Sequence, residues 1–268
     1  MIKWAFIFYF ACCAVLSSAQ LPMPIMKTIP IAARTIEVDE LGNVYVLRSD
    51  NLLLKYNERG DSLANYNALA NGPMTSIDVS NPLRIMLYYA RYAQLVLLDR
   101  MLAPKTELNV RKLNLLNANV IAASAEGNLW IYDQFSATLN KLDMELNYMI
   151  KGNDLRQQLS VLPKPVALLE RNRRVYLLDT AQGIFIFDQY GSYLNTIPIV
   201  GLTHLQVIAN QLVYRAGNEL IVYDMERVTE RRLALPQLPG LPIQAALLSR
   251  NTLYVLYPDR LIWYQLPN

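Results

Sequence analysis

Six similar apolar segments divide most of this chain into units of nearly equal length. They run from Tyr45-Val46-Leu47 to Asn57, from Leu87-Tyr88-Tyr89 to Asp99, and from Trp130-Ile131-Tyr132 to Asp143. The other three run from Tyr176-Leu177-Leu178 to Asp188, from Val213-Tyr214-Arg215 to Asp224, and from Tyr254-Val255-Leu256 to Gln265. The closing positions 57, 99, 143, 188, 224 and 265 lie 42, 44, 45, 36 and 41 residues apart. A drifting period of roughly 42 residues is the length of one four-stranded propeller blade.

Each unit reads as strands. Tyr, Val, Ile and Leu dominate short runs between polar turns, which suits pleated, half-buried surfaces. Gly42-Asn43, Gly127-Asn128, Asn172-Arg173 and Arg250-Asn251 sit where tight hairpins need a residue that tolerates positive φ. Asp or Asn closes the third strand in five units, and such a side chain accepts a bond from the backbone two residues on, starting the next turn. An inner strand precedes each unit: Ile36-Glu37-Val38, Ile77-Asp78-Val79, Val120-Ile121-Ala122, Val166-Ala167-Leu168, Leu205-Gln206-Val207 and Ala245-Ala246-Leu247. Their apolar character implies a sheet buried on both faces. A sustained helical stripe is absent after residue 20, and only Asp154 to Leu162 has room for a short helix or turn.

The pattern predicts an all-β fold, a six-bladed propeller of four-stranded antiparallel blades. The chain stops just after the third strand of the sixth unit, so the missing outer strand has to come from elsewhere. The run from Ile25 to Pro30 can supply it, closing the ring through the N-terminal strand and removing two open edges.

The units resemble the NHL-type six-bladed propeller family. The residues that carry the likeness are Tyr176-Leu-Leu-Asp-Thr-Ala-Gln-Gly-Ile-Phe-Ile-Phe-Asp188, a strand, an Asp, a polar turn and a strand ending in Asp. Arg48-Ser49-Asp50-Asn51 and Tyr257-Pro258-Asp259-Arg260 match more loosely.

Residues 1–19 read as a cleaved export signal. Lys3 gives a short positive start, Trp4 to Leu16 is an apolar run of 13 residues, and Ser17-Ser18-Ala19 offers small residues for cleavage. A membrane span needs about 20 apolar residues, so residues 20–268 are expected to form one exported propeller domain with no transmembrane span. The expected address is the periplasm, the outer membrane surface or the outside of a bacterial cell. Both cysteines, Cys12 and Cys13, lie in the signal, which leaves the mature chain without thiol chemistry.

Several function classes fall away. A net charge of +3 is too small for a nucleic-acid binder, which needs a basic stripe. Neither G-x-S-x-G nor G-x-x-x-x-G-K-[ST] occurs, and ten glycines leave little for a phosphate cradle. The chain has one histidine, His204, which follows Thr203 at the start of an inner strand and reads as structural. No cofactor is expected.

Two features bear on function. Glu37 and Asp78 match in position on the first two inner strands and are hard oxygen donors, the weak case for a metal site. Resemblance to gluconolactonase-like propellers would make such a site that of a metal-dependent lactonase-like hydrolase, but later units place Ala122, Leu168 and Val207 nearby. The second feature is the set of turns between second and third strands, which emerge on one face. Arg91, Tyr92, Gln134, Phe135, Tyr257 and Asp259 lie there, and Tyr, Phe and Arg are residue types that anchor interfaces. The expectation is a non-catalytic scaffold that binds another envelope or outer-membrane protein, with a glycan- or small-ligand-binding propeller as a further alternative.

Overall fold

The computed structural model describes residues 23–113 and 119–266. The expected export signal, residues 1–19, therefore lies outside the described residues.

Among the described residues, twenty-four strands form six four-stranded antiparallel sheets. Blade 1 holds β2 (Thr35–Val38), β3 (Val44–Leu47), β4 (Leu53–Tyr56) and β5 (Ser62–Tyr66). Blade 2 holds β6 (Ser76–Asp78), β7 (Arg84–Tyr89), β8 (Gln94–Asp99) and β9 (Pro104–Asn109). Blade 3 holds β10 (Val120–Ala123), β11 (Leu129–Asp133), β12 (Thr138–Leu142) and β13 (Tyr148–Ile150). Blade 4 holds β14 (Ala167–Arg171), β15 (Arg174–Asp179), β16 (Gly183–Asp188) and β17 (Tyr193–Ile197). Blade 5 holds β18 (Gln206–Ile208), β19 (Gln211–Ala216), β20 (Glu219–Asp224) and β21 (Thr229–Ala234). Blade 6 takes β22 (Ala245–Ser249), β23 (Thr252–Leu256) and β24 (Arg260–Gln265) from the end of the chain and β1 (Ile25–Pro30) from its start. Thr28 lies opposite Ile262 and Ile29 opposite Leu261, so the first strand completes the last blade as the repeat count requires.

The turns follow from their residues. Gly42 and Gly127 have φ of +83° and +88°. Asn172 and Arg173 both adopt positive φ, 53° and 60°, in a two-residue hairpin loop of the mirror-image turn type. At the end of the third strands, Asp99 Oδ1 accepts the N–H groups of Met101 and Ala103 at 2.8 and 3.0 Å. Asp188 does the same for Tyr190 and Ser192, and Asn57 for Arg59 and Asp61.

The core lies between blades rather than inside one barrel. Successive residues of a second strand point to opposite faces, so each blade feeds two interfaces. Tyr45 and Leu47 pack toward blade 2 with Ile85, Leu87 and Tyr89, whereas Val44 and Val46 pack toward blade 6 with Tyr254, Leu256 and Trp263. Trp130 and Tyr132 face blade 4, and Leu129 and Ile131 face blade 2. Six such clusters line the six blade junctions. This is why the second strands read as continuous apolar runs instead of alternating ones. Residues 154–162 contain only a single short 3-10 turn, Leu155–Gln157, started by the Asp154 carboxylate accepting Arg156 N–H.

Candidate functional site

Two places on this scaffold carry chemistry: the axial channel and the face formed by the turns between second and third strands.

The channel has a volume of about 1020 Å³ and is walled by the inner strands. Its distinctive feature is an imidazole–carboxylate pair: His204 Nε2 lies 2.9 Å from Glu37 Oε1. Glu37 stands on β2 of blade 1 and His204 just before β18 of blade 5, so the pair reaches across blade 6. Both side chains keep partial contact with channel solvent. Desolvation pulls the His204 pKa down, but the Glu37 charge and hydrogen bond outweigh it, and the net shift is upward from 6.5. Such a pair can hold or pass a proton and can bind a polar ligand. The sequence reading of His204 as a structural histidine missed this contact, because nothing local links two residues 167 positions apart.

Asp78 does not join the pair. Its Oδ2 accepts Ala123 N–H of blade 3 at 2.8 Å, and Oδ1 accepts Ser80 N–H at 2.8 Å. Glu37 and Asp78 are thus committed to different partners, and the described residues contain no group of three or more His, Cys, Asp or Glu arranged to hold a metal ion.

Antiparallel meanders put the turns between second and third strands on the same face as the links between blades. Arg91 and Tyr92 form a 3-10 turn on blade 2, with the Arg91 guanidinium 5.9 Å from the centre of the Tyr92 ring. The underside of the Tyr92 ring covers Gly72, where an added Cβ would come within 2.6 Å of it. On the adjoining blade 3, Asp133 pins the turn that holds Gln134 and Phe135 by accepting Phe135 N–H at 3.1 Å, and Arg156 donates to the Phe135 carbonyl at 3.1 Å. The backbone is held while the ring is left 82% exposed; Tyr92 is 44% exposed.

The turn from Tyr257 to Asp259 differs from the expectation. It belongs to blade 6, across the axis from blade 3, and Tyr257 is fully buried. Its hydroxyl donates to Pro236 O at 2.7 Å and lies 3.1 Å from the Tyr264 hydroxyl. Tyr257 is therefore a core residue between blades 5 and 6, and what faces solvent at that turn is the Asp259–Arg260 pair, 2.8 Å apart.

Three valines add exposed apolar surface on this face: Val161 and Val200, which the sequence reading did not single out, and Val166, which was expected in the fourth inner strand but lies just before β14 and is exposed. Val161, Val166 and Val200 are 59%, 49% and 57% exposed on the links around blade 4. With Tyr92 and Phe135 they run over blades 2, 3 and 4. The rest of the same face is charged, with an Arg48–Asp50 pair on blade 1, Arg215 on blade 5 and the Asp259–Arg260 pair on blade 6. Exposed valines on links carry no periodic signal, so the sequence alone could not assemble this arc.

No protein-family model matches the chain, and no curated protein matches it in sequence. Solved structures match its shape. Virginiamycin B lyase from Staphylococcus aureus superposes with a TM-score of 0.58 at 10% identity, over 90% of this chain and 99% of that one. A streptogramin B lyase gives 0.58 at 13% identity, over 90% and 85%. The Pan2 WD40 domain of Neurospora crassa gives 0.56 at 9% identity, over 91% and 95%. At such identities the likeness is to the fold, which lyases and a WD40 domain share.

Proposed function

We propose that this chain is an exported, NHL-like six-bladed propeller that works as a binding scaffold, holding another protein of the cell envelope or outer membrane against the face that carries Tyr92 and Phe135. The observation that carries the reading is Phe135: a ring 82% exposed on a turn whose backbone is fixed by Asp133 and Arg156. An aromatic on a fixed backbone, with no role in blade packing, has only its side chain left to order on binding. Val161, Val166 and Val200 add exposed apolar surface on the links of the same face, and exposed apolar patches on soluble domains mark contact sites. Arg91, Gln134 and Asp259 form the polar surround of this face, as the rims of interfaces do.

A scaffold role also agrees with the fate of the two channel carboxylates. Asp78 is engaged in joining blades 2 and 3, so a lactonase-like metal site would lack its second ligand. The test is capture of partners from the native envelope with wild-type protein and with Tyr92→Ala/Phe135→Ala. The reading expects the double variant to melt like wild type and to lose the partner that wild type retains. Equal capture by both proteins would place the interface elsewhere.

A further inference from the structure

The position of Glu37 joins neighbouring blades in two other blades. Asp78 and Gln206 occupy the matching places on β6 and β18, and each side chain holds the inner strand of the following blade. Asp78 accepts Ala123 N–H at 2.8 Å; Gln206 accepts Leu248 N–H at 2.8 Å and donates to Leu248 O at 3.1 Å. Glu37 stands opposite Tyr45 in the register that sets Asp78 opposite Met86 and Gln206 opposite Val213. Yet among the described residues it makes no bond to blade 2. Its carboxylate lines the channel instead, with Oε1 on His204 and Oε2 without a hydrogen-bond partner among the described residues.

We propose that the axial channel binds a small aliphatic amine in its ammonium form, with Glu37 as the anchoring carboxylate. The class of ligand follows from the wall. A divalent metal favours several carboxylate or imidazole ligands together, and the described residues contain no group of three or more His, Cys, Asp or Glu arranged to hold one. A guanidinium prefers both oxygens of one carboxylate, and His204 already takes one. An ammonium needs a single carboxylate oxygen and has two further N–H donors for neutral acceptors. Thr35, Thr75 and Thr203 also line the channel and bring hydroxyls to it, while Ile77 and Val120 supply aliphatic surface for the carbon chain. The channel wall carries four carboxylates, Glu37, Asp39, Glu40 and Asp78, against three arginines, Arg34, Arg171 and Arg250, which favours a cation at the Glu37 carboxylate. The volume of about 1020 Å³ is ample for a small ligand.

The ammonium and the imidazolium share Glu37, so each weakens the hold of the other on it. The remaining charged groups on the channel wall are Arg34, Asp39, Asp78, Glu40, Arg171 and Arg250. None of the six is within hydrogen-bond distance of His204 in the structure.

His204 is the chain's one histidine, so its ring resonance reports the site directly. The experiment is an NMR titration of the intact exported protein with n-butylammonium chloride, against n-butanol in matched sodium chloride. The proposal expects a saturable shift of the His204 ring signal and a fall in its titration midpoint with the amine. It expects no response to the alcohol and loss of the amine response in Glu37→Gln. No shift, an equal shift with butanol, or an undiminished shift in Glu37→Gln would overturn it. In wild type alone, contacts between the butyl chain and the His204 ring, read as intermolecular NOEs, decide the matter without any variant; their absence at saturating amine overturns the proposal. Tyr92 and Phe135 are not on the channel wall, so this outcome is independent of partner capture at the rim.

Discussion

The imidazole of His204 and the carboxylate of Glu37 meet at 2.9 Å across the blade that closes the ring. They join blades 1 and 5 over the sheet that holds the first and last described strands, so the pair braces the closure as well as furnishing the channel.

This brace has a pH dependence of definite sign. The folded-state pKa of His204 is raised above 6.5. The stability it contributes is therefore fully present below pH 6.5 and is lost as pH rises through the raised folded value. Side chains this accessible are screened by solvent, so the effect is about 1 kcal/mol or less. Urea denaturation of wild type and His204→Gln across this range should show the advantage of wild type shrinking as pH rises. An advantage that grows with pH would mean the imidazole is held neutral.

Ring closure makes a second prediction. β1 pairs with β24, and Ile29 packs in the junction of blades 6 and 1. A chain beginning at residue 32 leaves β24 as an open edge, which invites pairing with other copies. It should melt at lower temperature and elute as larger species in size-exclusion chromatography. An identical melt and a monomeric profile would contradict the strand pairing.

A buried carboxylate makes the third. Glu170 of blade 4 accepts the indole N–H of Trp130 of blade 3 at 2.5 Å, and both residues are buried. Removing the acceptor strands a buried donor, and bonds to charged acceptors are worth about 1.5–3 kcal/mol. Glu170→Ala should lower the denaturation free energy by about 3 kcal/mol, and Glu170→Gln, which keeps an acceptor, by less. Tryptophan fluorescence during urea titration reads both.

The architecture was legible because its signals are local and repeated. The Asp and Asn residues at the ends of third strands appear in the structure as side-chain acceptors opening the next turn, and the Gly-Asn and Asn-Arg hairpins take the positive φ their residues allow. Ile25 to Pro30 was legible as the closing strand by counting. The outer strands were harder to see: β21, Thr-Glu-Arg-Arg-Leu-Ala, is almost wholly exposed and needs no apolar pattern. The site was less legible still. His204 and Glu37 meet only through the ring, and Tyr257 looked like an exposed turn residue although its ring enters the junction of blades 5 and 6.

Tyr257 and Phe135 separate core from surface in a fourth prediction. Tyr257→Ala empties a buried site and strands the Pro236 carbonyl, a loss of about 3–5 kcal/mol. Phe135→Ala removes a ring that is 82% exposed and should change stability by about 0.5 kcal/mol or less. Thermal melts of the two variants side by side test the assignment, and a large loss for Phe135→Ala would make that ring structural.

In the proposed function, one face of the propeller, and not the other, meets a protein partner. A photoreactive amino acid placed at Phe135 samples the face of the inter-blade links; the same residue placed at Tyr190, 66% exposed on the turn after β16, samples the opposite face. Irradiation in the native envelope should yield a discrete adduct from position 135 and none from position 190. An adduct from position 190 alone, or the same adduct from both positions, would contradict the claim.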